Sequence, residues 1–321
     1  MSSPNRDRTA LAAVTEQRNP RTSDIDIVPT LEVLRLLNDE DARVPAAVAR
    51  LLPTLAELVD GAVERVRRGG RLHYFGAGTS GRLAMLDAAE LPPTFGVEPE
   101  FATAHLAGGE TATRLAVENA EDDSGAGRLA SQGLGPDDIA IGISASGSAP
   151  YVSGALERAR ESGALTALVS SNPAAPLGKL VDYHLAADTG PEAITGSTRL
   201  KAGTAAKLVL NGFSTALMVR LGRSYSNMMV DMVPTNQKLQ HRLVQMLVQA
   251  TGADEQASQE ALSQAGDNLK IALVTMLSGS PARAVSEALA QAGGQVRPAL
   301  ALLGAGGPST APIGAGKPAS S

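Results

Sequence analysis

The chain has 321 residues, 43% of them apolar, and a formal net charge of −5 with both signs scattered along it. That length predicts two compact units, or one domain with helical additions, and a core that needs no staples. The absence of cysteine excludes disulfides, cysteine-ligated zinc and thiol catalysis, and the charge pattern lacks the basic stripe of a nucleic-acid binder.

The first residues, Met1 to Arg8, are polar and lack the apolar stretch of a secretion signal, so a cytoplasmic location is expected. Residues 1–22 read as a flexible arm, with Asn19-Pro20 as a breaker. Leu31, Leu34 and Leu37 predict a short amphipathic helix capped by Thr30. After Pro45, apolar positions from Val48 to Val66 at three- and four-residue spacing predict one longer helix ended by Gly69-Gly70.

The pattern then changes to short apolar runs at 72–75, 97–103, 139–144, 165–170 and 183–186. Segments 81–90, 110–120, 150–161 and 174–180 between them suit crossover helices. This alternation predicts a mostly parallel sheet covered on both faces, with chemistry in the loops at the carboxyl ends of its strands. Arg199 to Leu221 reads as one long helix. It contains an uncharged apolar run, Leu208 to Val219, which is too short for the roughly 20 residues of a membrane span. Helices at 236–250, 254–264, 266–277 and 281–292 follow. The predicted organisation is an arm over 1–22, an α/β domain over 23–225, a helical domain over 234–300 and a disordered Gly/Ala/Pro/Ser tail over 304–321.

Three loops carry candidate chemistry. Gly76-Ala77-Gly78-Thr79-Ser80-Gly81 fits G-x-G-x-x-G between a strand and a helix, and Glu98 and Glu100 are placed near the end of the next strand, so a dinucleotide reading stays open. The paired hydroxyls of Thr79 and Ser80 suit a phosphate monoester better than a pyrophosphate. Ser144-Ala145-Ser146-Gly147-Ser148 follows the third strand and makes a second hydroxyl-rich anion cradle, or a turn that only caps a helix. The segment 190–204 brings Thr195, Ser197, Arg199 and Lys201 to the start of the long helix, where the cations would neutralise phosphate or a developing oxyanion.

Longer strings narrow the choice. Asn38-Asp39-Glu40-Asp41, GAGTSGRLAMLDAAELPPTFGV (76–97), AGGETA (107–112), AVENAED (116–122), TGSTRLKAGTAAKLVLN (195–211) and MVDMVPTNQKL (229–239) resemble the N-acetylmuramic acid 6-phosphate etherases, from about residue 22 to about residue 295. The resemblance implies an SIS fold with a five-stranded parallel sheet between helices and a small helical C-terminal domain like a UBA module. It also implies a homodimer, an amino sugar phosphate as substrate, and no metal or other cofactor.

The same resemblance assigns catalysis to Glu90 and Glu121, two of 33 acidic residues that their positions alone would not single out. It assigns phosphate and sugar binding to Gly78, Thr79, Ser80, Gly81, Ser144, Ser146, Gly147, Ser148, Thr195, Ser197 and Lys201. The implied reaction removes D-lactate from C3 of the sugar, leaving N-acetylglucosamine 6-phosphate, in cell-wall amino sugar recycling. The second loop departs from the family pattern, with Ser148 where an arginine is expected. A phosphosugar isomerase, or a phosphosugar-binding regulator without turnover, would use the same fold. His105 and His184 are read as structural or surface groups.

Overall fold

The computed structural model describes residues 14–232, 234 and 237–305. Contacts divide the chain into two units, Met1–Pro92 with Val97–Leu217, and Pro93–Gly96 with Met218–Ser321.

In the first unit, β1 (Leu72–Gly76), β2 (Ala102–Leu106), β3 (Ile139–Ile143), β4 (Leu165–Ser170) and β5 (Tyr183–Ala186) form one parallel sheet in the order β2-β1-β3-β4-β5. β3 and β4 are buried at every position because helices cover both faces, whereas the edge strands β2 and β5 are only partly covered. The helices are α1 (Thr30–Asp41), α2 (Val44–Ala49), α3 (Leu52–Arg67), α4 (Gly78–Phe95), α5 (Ser124–Ala130), α6 (Pro150–Glu161) and α7 (Lys201–Arg220).

Alternation along β1 assigns their sides. The Tyr74 hydroxyl donates to Asp87 of α4 at 2.6 Å, and Ser214 of α7 donates to the same carboxylate at 2.9 Å. Phe75, one residue on, points the other way into a cluster with Tyr151, Val152 and Leu156 of α6.

Several expectations shift for local reasons. The helix expected after Pro45 is two helices, because Pro53 has no N–H to return to the carbonyl of Ala49. Thr30 starts α1 but does not cap it; Pro29 stands at that position without a side-chain bond. β2 begins at Ala102 rather than 97, since Pro99–Phe101 forms a 3-10 turn. The helix expected over 110–120 is a 3-10 turn at Gly109–Thr113, with α5 starting later where Asp123 accepts from the Ala126 N–H at 2.8 Å. The segment 174–180 holds only a 3-10 turn, Pro176–Lys179.

The described part of the arm expected over 1–22 is anchored at three positions, with Glu16, Gln17, Arg18, Pro20 and Arg21 exposed between them. Thr15, Asn19 and Thr22 are buried, and residues 1–13 lie outside the described residues.

In the second unit, the hairpin β6 (Ser224–Tyr225) and β7 (Met228–Met229) joins α8 (Gln237–Thr251), α9 (Glu255–Gln264), α10 (Leu269–Ser278), α11 (Ala282–Gln291) and α12 (Val296–Leu302). Its core includes Tyr225, Val230, Leu243, Leu273, Val285 and Leu300. That packing moves the boundary to Leu217/Met218, ahead of the expected end at 225. α12 is unforeseen. Pro298 sits in its first turn, where a missing N–H costs no helical bond. Of the expected tail, 306–321 lies outside the described residues. Among the described residues no helix is long and apolar enough to cross a membrane.

The pairing of α5 and α6 depends on glycine at close approach. A Cβ at Gly154 would stand 2.0 Å from the Ser124 carbonyl oxygen. Gly154→Ala is therefore expected to cost about 1–3 kcal/mol by overpacking, read as a lower urea midpoint with unchanged slope. An unchanged midpoint would show that the two helices separate at no cost.

Candidate active site

β1 pairs with β2 on one side and β3 on the other, so the chain leaves these neighbours in opposite directions and opens a crevice at their carboxyl ends. The loops after β1 and β3 stand side by side there. In the first, a Cβ at Gly81 would lie 2.7 Å from the Gly76 carbonyl oxygen and 2.2 Å from Leu106, so only glycine fits. Gly78 takes φ +54° at the start of α4. The first intrahelical bond of α4 runs from the Gly81 N–H to the Ala77 carbonyl, so the N–H groups of Gly78, Thr79 and Ser80 ahead of it have no helical acceptor and are available to an anion. Thr79 and Ser80 are half-buried beside them, and Ser80 lines a cleft with Ala145, Ser171 and Thr198.

The second loop divides its hydroxyls. Ser144 is buried and accepts from the Gly147 N–H at 3.1 Å, so it holds the turn together. Gly147 takes φ +67°, and a Cβ there would meet Ala175 at 2.2 Å. Ser146 and Ser148 share a hydrogen bond of 2.8 Å near the surface. Asn172 donates to the Ser146 carbonyl at 3.0 Å, and the Ser171 N–H donates to the Ala145 carbonyl at 2.9 Å. Ser171 was missed by sequence reasoning. The signal was present: a hydroxyl directly after an inner strand, at the same sheet edge as the two recognised loops.

The third segment differs most from expectation. Thr195 is exposed, Ser197 half-buried, and Thr198 lines the cleft. Lys201, expected to hold phosphate, is 0% exposed, and its ammonium spends three donors on Glu40 at 2.5 Å, the Thr189 carbonyl at 2.9 Å and the Pro191 carbonyl at 2.7 Å. A cation so committed has no donor left for a ligand. The N-terminus of α7 is likewise taken, because Glu192 accepts from the Lys201 and Ala202 N–H groups at 3.0 and 2.9 Å. Arg199 faces solvent. Hydrogen bonds from Arg21 foremost, with those from Lys201 and Asn19, hold the Glu40 carboxyl at about 2 against the opposing effect of burial.

Glu90 lies exposed on α4, one turn beyond the buried Asp87. Burial pushes the Asp87 carboxyl up, and the bonds from Tyr74 and Ser214 counter it. Glu121 sits in a turn made by Asn119 at φ +59°, with the Asp122 N–H bonded to the Asn119 carbonyl. Its own carbonyl accepts from Tyr151 N–H at 2.9 Å, fastening it to the start of α6 beside the second loop. On the other side, Arg82 of α4 donates to the carbonyls of Ala112, Thr113 and Leu115. Glu121 keeps a solvent-facing surface, yet desolvation, with the neighbouring Asp122 charge, raises its carboxyl above the usual range.

His105 stacks on Phe75 and shares a 3.1 Å contact with His73, and burial takes it down to about 4; His184 meets Ser170 at 2.9 Å. Among the described residues no three of His, Asp or Glu gather as a metal-binding group.

Curated relatives decide the family. The chain is 56% identical over 265 residues to an N-acetylmuramic acid 6-phosphate etherase of Thermobifida fusca, covering 83% of this chain and 87% of that protein. Etherases of Cutibacterium acnes and Mesorhizobium japonicum are 50% and 48% identical, with 83% and 82% of this chain and 88% and 87% of theirs covered. The chain belongs to the N-acetylmuramic acid 6-phosphate etherase family. The family model of the glucokinase regulatory protein N-terminal SIS domain matches residues 54–160 of this etherase-family chain. A phosphoheptose isomerase structure from Francisella tularensis shares the fold, with a TM-score of 0.50 at 19% identity over 60% of this chain and all of that one. For a member of the etherase family the dinucleotide reading lapses on geometry as well. Glu98 and Glu100 precede β2 instead of ending it, so neither reaches the crevice where a ribose would sit.

The Glu121 environment is directly measurable. In a carboxyl NMR titration, Glu121 is expected to protonate at higher pH than a model glutamate, and Asp122→Asn to bring that midpoint down by removing the like charge. An Asp122→Asn midpoint that rises or stays put would overturn the electrostatic part of this account.

Proposed function

We propose that this chain cleaves the D-lactyl ether of N-acetylmuramic acid 6-phosphate, yielding N-acetylglucosamine 6-phosphate and D-lactate. The observation that carries this reading is the identity of 47–56% to etherases along more than four-fifths of the chain. The crevice supports it: free helix N–H groups and the hydroxyls of Thr79, Ser80, Ser146, Ser148, Ser171 and Thr198 suit one phosphate and a hydroxylated ring. Lys201 is withdrawn from that ligand set, and Ser144 serves it through the turn. Because a phosphorylated sugar does not cross membranes unaided, the reading also fits a cytoplasmic enzyme.

An ether resists direct displacement because its alkoxide leaving group is strongly basic. Ring opening makes C1 an aldehyde and acidifies the C2 proton. A base removes that proton, an enolate forms, and lactate leaves C3 with a proton from an acid; water then adds at C3. The route asks for a carboxylate, a carboxylic acid and donors to the enolate oxygen. Glu90 is the principal acid/base in elimination, and Glu121 activates the water or assists proton transfer. The raised carboxyl of Glu121 supports a proton-carrying role at neutral pH.

The match to the glucokinase regulatory protein domain favours a second reading, a phosphosugar binder without turnover. Lactate release separates the two. Glu90→Gln is expected to lower it by about a hundredfold or more while the product still binds, and product formed in deuterated water is expected to carry deuterium at C2. Normal turnover by Glu90→Gln would remove Glu90 from the mechanism.

Glu90 stands twelve residues beyond Gly78, about 18 Å along α4 at 1.5 Å per residue, farther than a hexose phosphate spans from phosphate to C3. We therefore read the working form as a homodimer in which Glu90 of the partner subunit completes each cradle. Leu31 and Leu34 of α1 and Leu86 of α4 are exposed apolar groups suited to such an interface. Glu90→Gln and Ser80→Glu chains, each inactive alone, are expected to regain about a quarter of wild-type activity when co-expressed, since half of the dimers are hybrids with one intact site. Hybrids without activity would place Glu90 and its cradle in one chain.

A further inference from the structure

The segment 189–198 is the least regular part of the first unit's functional edge. It has neither helix nor strand, and it turns on Gly190 at φ +70° and Gly196 at φ +74°. It nevertheless carries Thr195, Ser197 and Thr198, the last of which lines the cleft. Its backbone is met by residues far away in sequence. The Gly196 N–H donates to the Thr15 carbonyl at 3.2 Å. The Thr22 hydroxyl donates to the Ala193 carbonyl at 2.8 Å, and the Asn19 amide to the Pro191 carbonyl at 3.1 Å.

Beneath these contacts lies a buried charge cluster. Glu40, 3% exposed, accepts from Asn19 at 2.8 Å, from Arg21 at 2.9 Å and from Lys201 at 2.5 Å. Lys201 returns two bonds to the carbonyls of Thr189 and Pro191 at the start of the same segment. Glu192, 0% exposed, ties that segment to the first N–H groups of α7. A buried ion pair adds little net stability but is strongly directional, because any other arrangement strands a charge. Such a cluster selects one loop geometry more than it strengthens the fold.

We propose that residues 15–22, with Glu40 and Lys201, form a latch that fixes segment 189–198 and so sets Thr198 in the cleft against the bound sugar phosphate. These are positioning residues, since none of them is placed at the reacting atoms. The inference rests on the sugar-phosphate reading for its consequence, though not for the latch itself. With the latch released, the segment samples conformations that do not bind, and apparent affinity falls by the fraction of competent molecules.

Thr22→Val and Asn19→Ala in the full chain test this, with Thr22→Ser as the conservative control. Hydrogen exchange without substrate is expected to quicken about tenfold over 189–198 in both variants, while β3 and β4 keep wild-type rates. In lactate release, KM is expected to rise several-fold with kcat within about twofold of wild type, and Thr22→Ser to restore both values. Unchanged exchange over 189–198, or quickening shared by β3 and β4, would overturn the latch. Faster exchange with an unaltered KM would overturn its role in binding. Quickened exchange in a protein whose wild type releases no lactate would instead remove the assigned reaction and leave the latch standing.

Discussion

The structure depends on one topological constraint: β1 lies between β2 and β3 in a sheet whose strands all run the same way. Parallel strands deliver every exit to one edge, and the reversal at β1 keeps the helices that follow from closing over it. The resulting crevice gathers N–H groups and hydroxyls from loops that are about seventy residues apart in sequence. Buried inner strands hold that edge rigid, because Ile139–Ile143 and Leu165–Ser170 are enclosed on both faces.

Charge follows a matching division. The edge that faces ligand is lined mainly by neutral hydroxyls and free N–H groups, whereas the strongly paired ions lie behind it. Lys201, Glu40 and Glu192 are all consumed by the protein itself. A phosphate brought to such a crevice meets oriented dipoles and is not held by a committed lysine. Of the two carboxylates proposed for catalysis, Glu121 is tied to the start of α6 through its carbonyl, which accepts from the Tyr151 N–H and keeps its turn beside the second loop.

Much of this is legible in the sequence. Four of the five strands fall within a residue or two of their expected limits; the inner ones are short apolar runs, and the edge strand β5 is bounded by polar residues. The failures cluster where one residue overrides a pattern. Pro99 delays β2, Pro53 splits a helix that periodicity reads as continuous, and Asp123 starts α5 where apolar spacing gave no start. Ser171 went unnoticed because a single hydroxyl carries no pattern. Lys201 reads as a phosphate ligand in the sequence because a cation at a helix start gives no sign of partners as distant as Glu40.

By itself, then, the sequence determined the layers, the two hydroxyl loops and, through long family-specific strings, the etherase kinship. These are local or contiguous properties, written in periodicity and in short runs of residues. Only the tertiary structure decided which way Lys201 turns and that Thr15, Asn19 and Thr22 are buried. Each of those depends on groups separated by long stretches of chain, and pairing at that distance leaves no mark in local spacing.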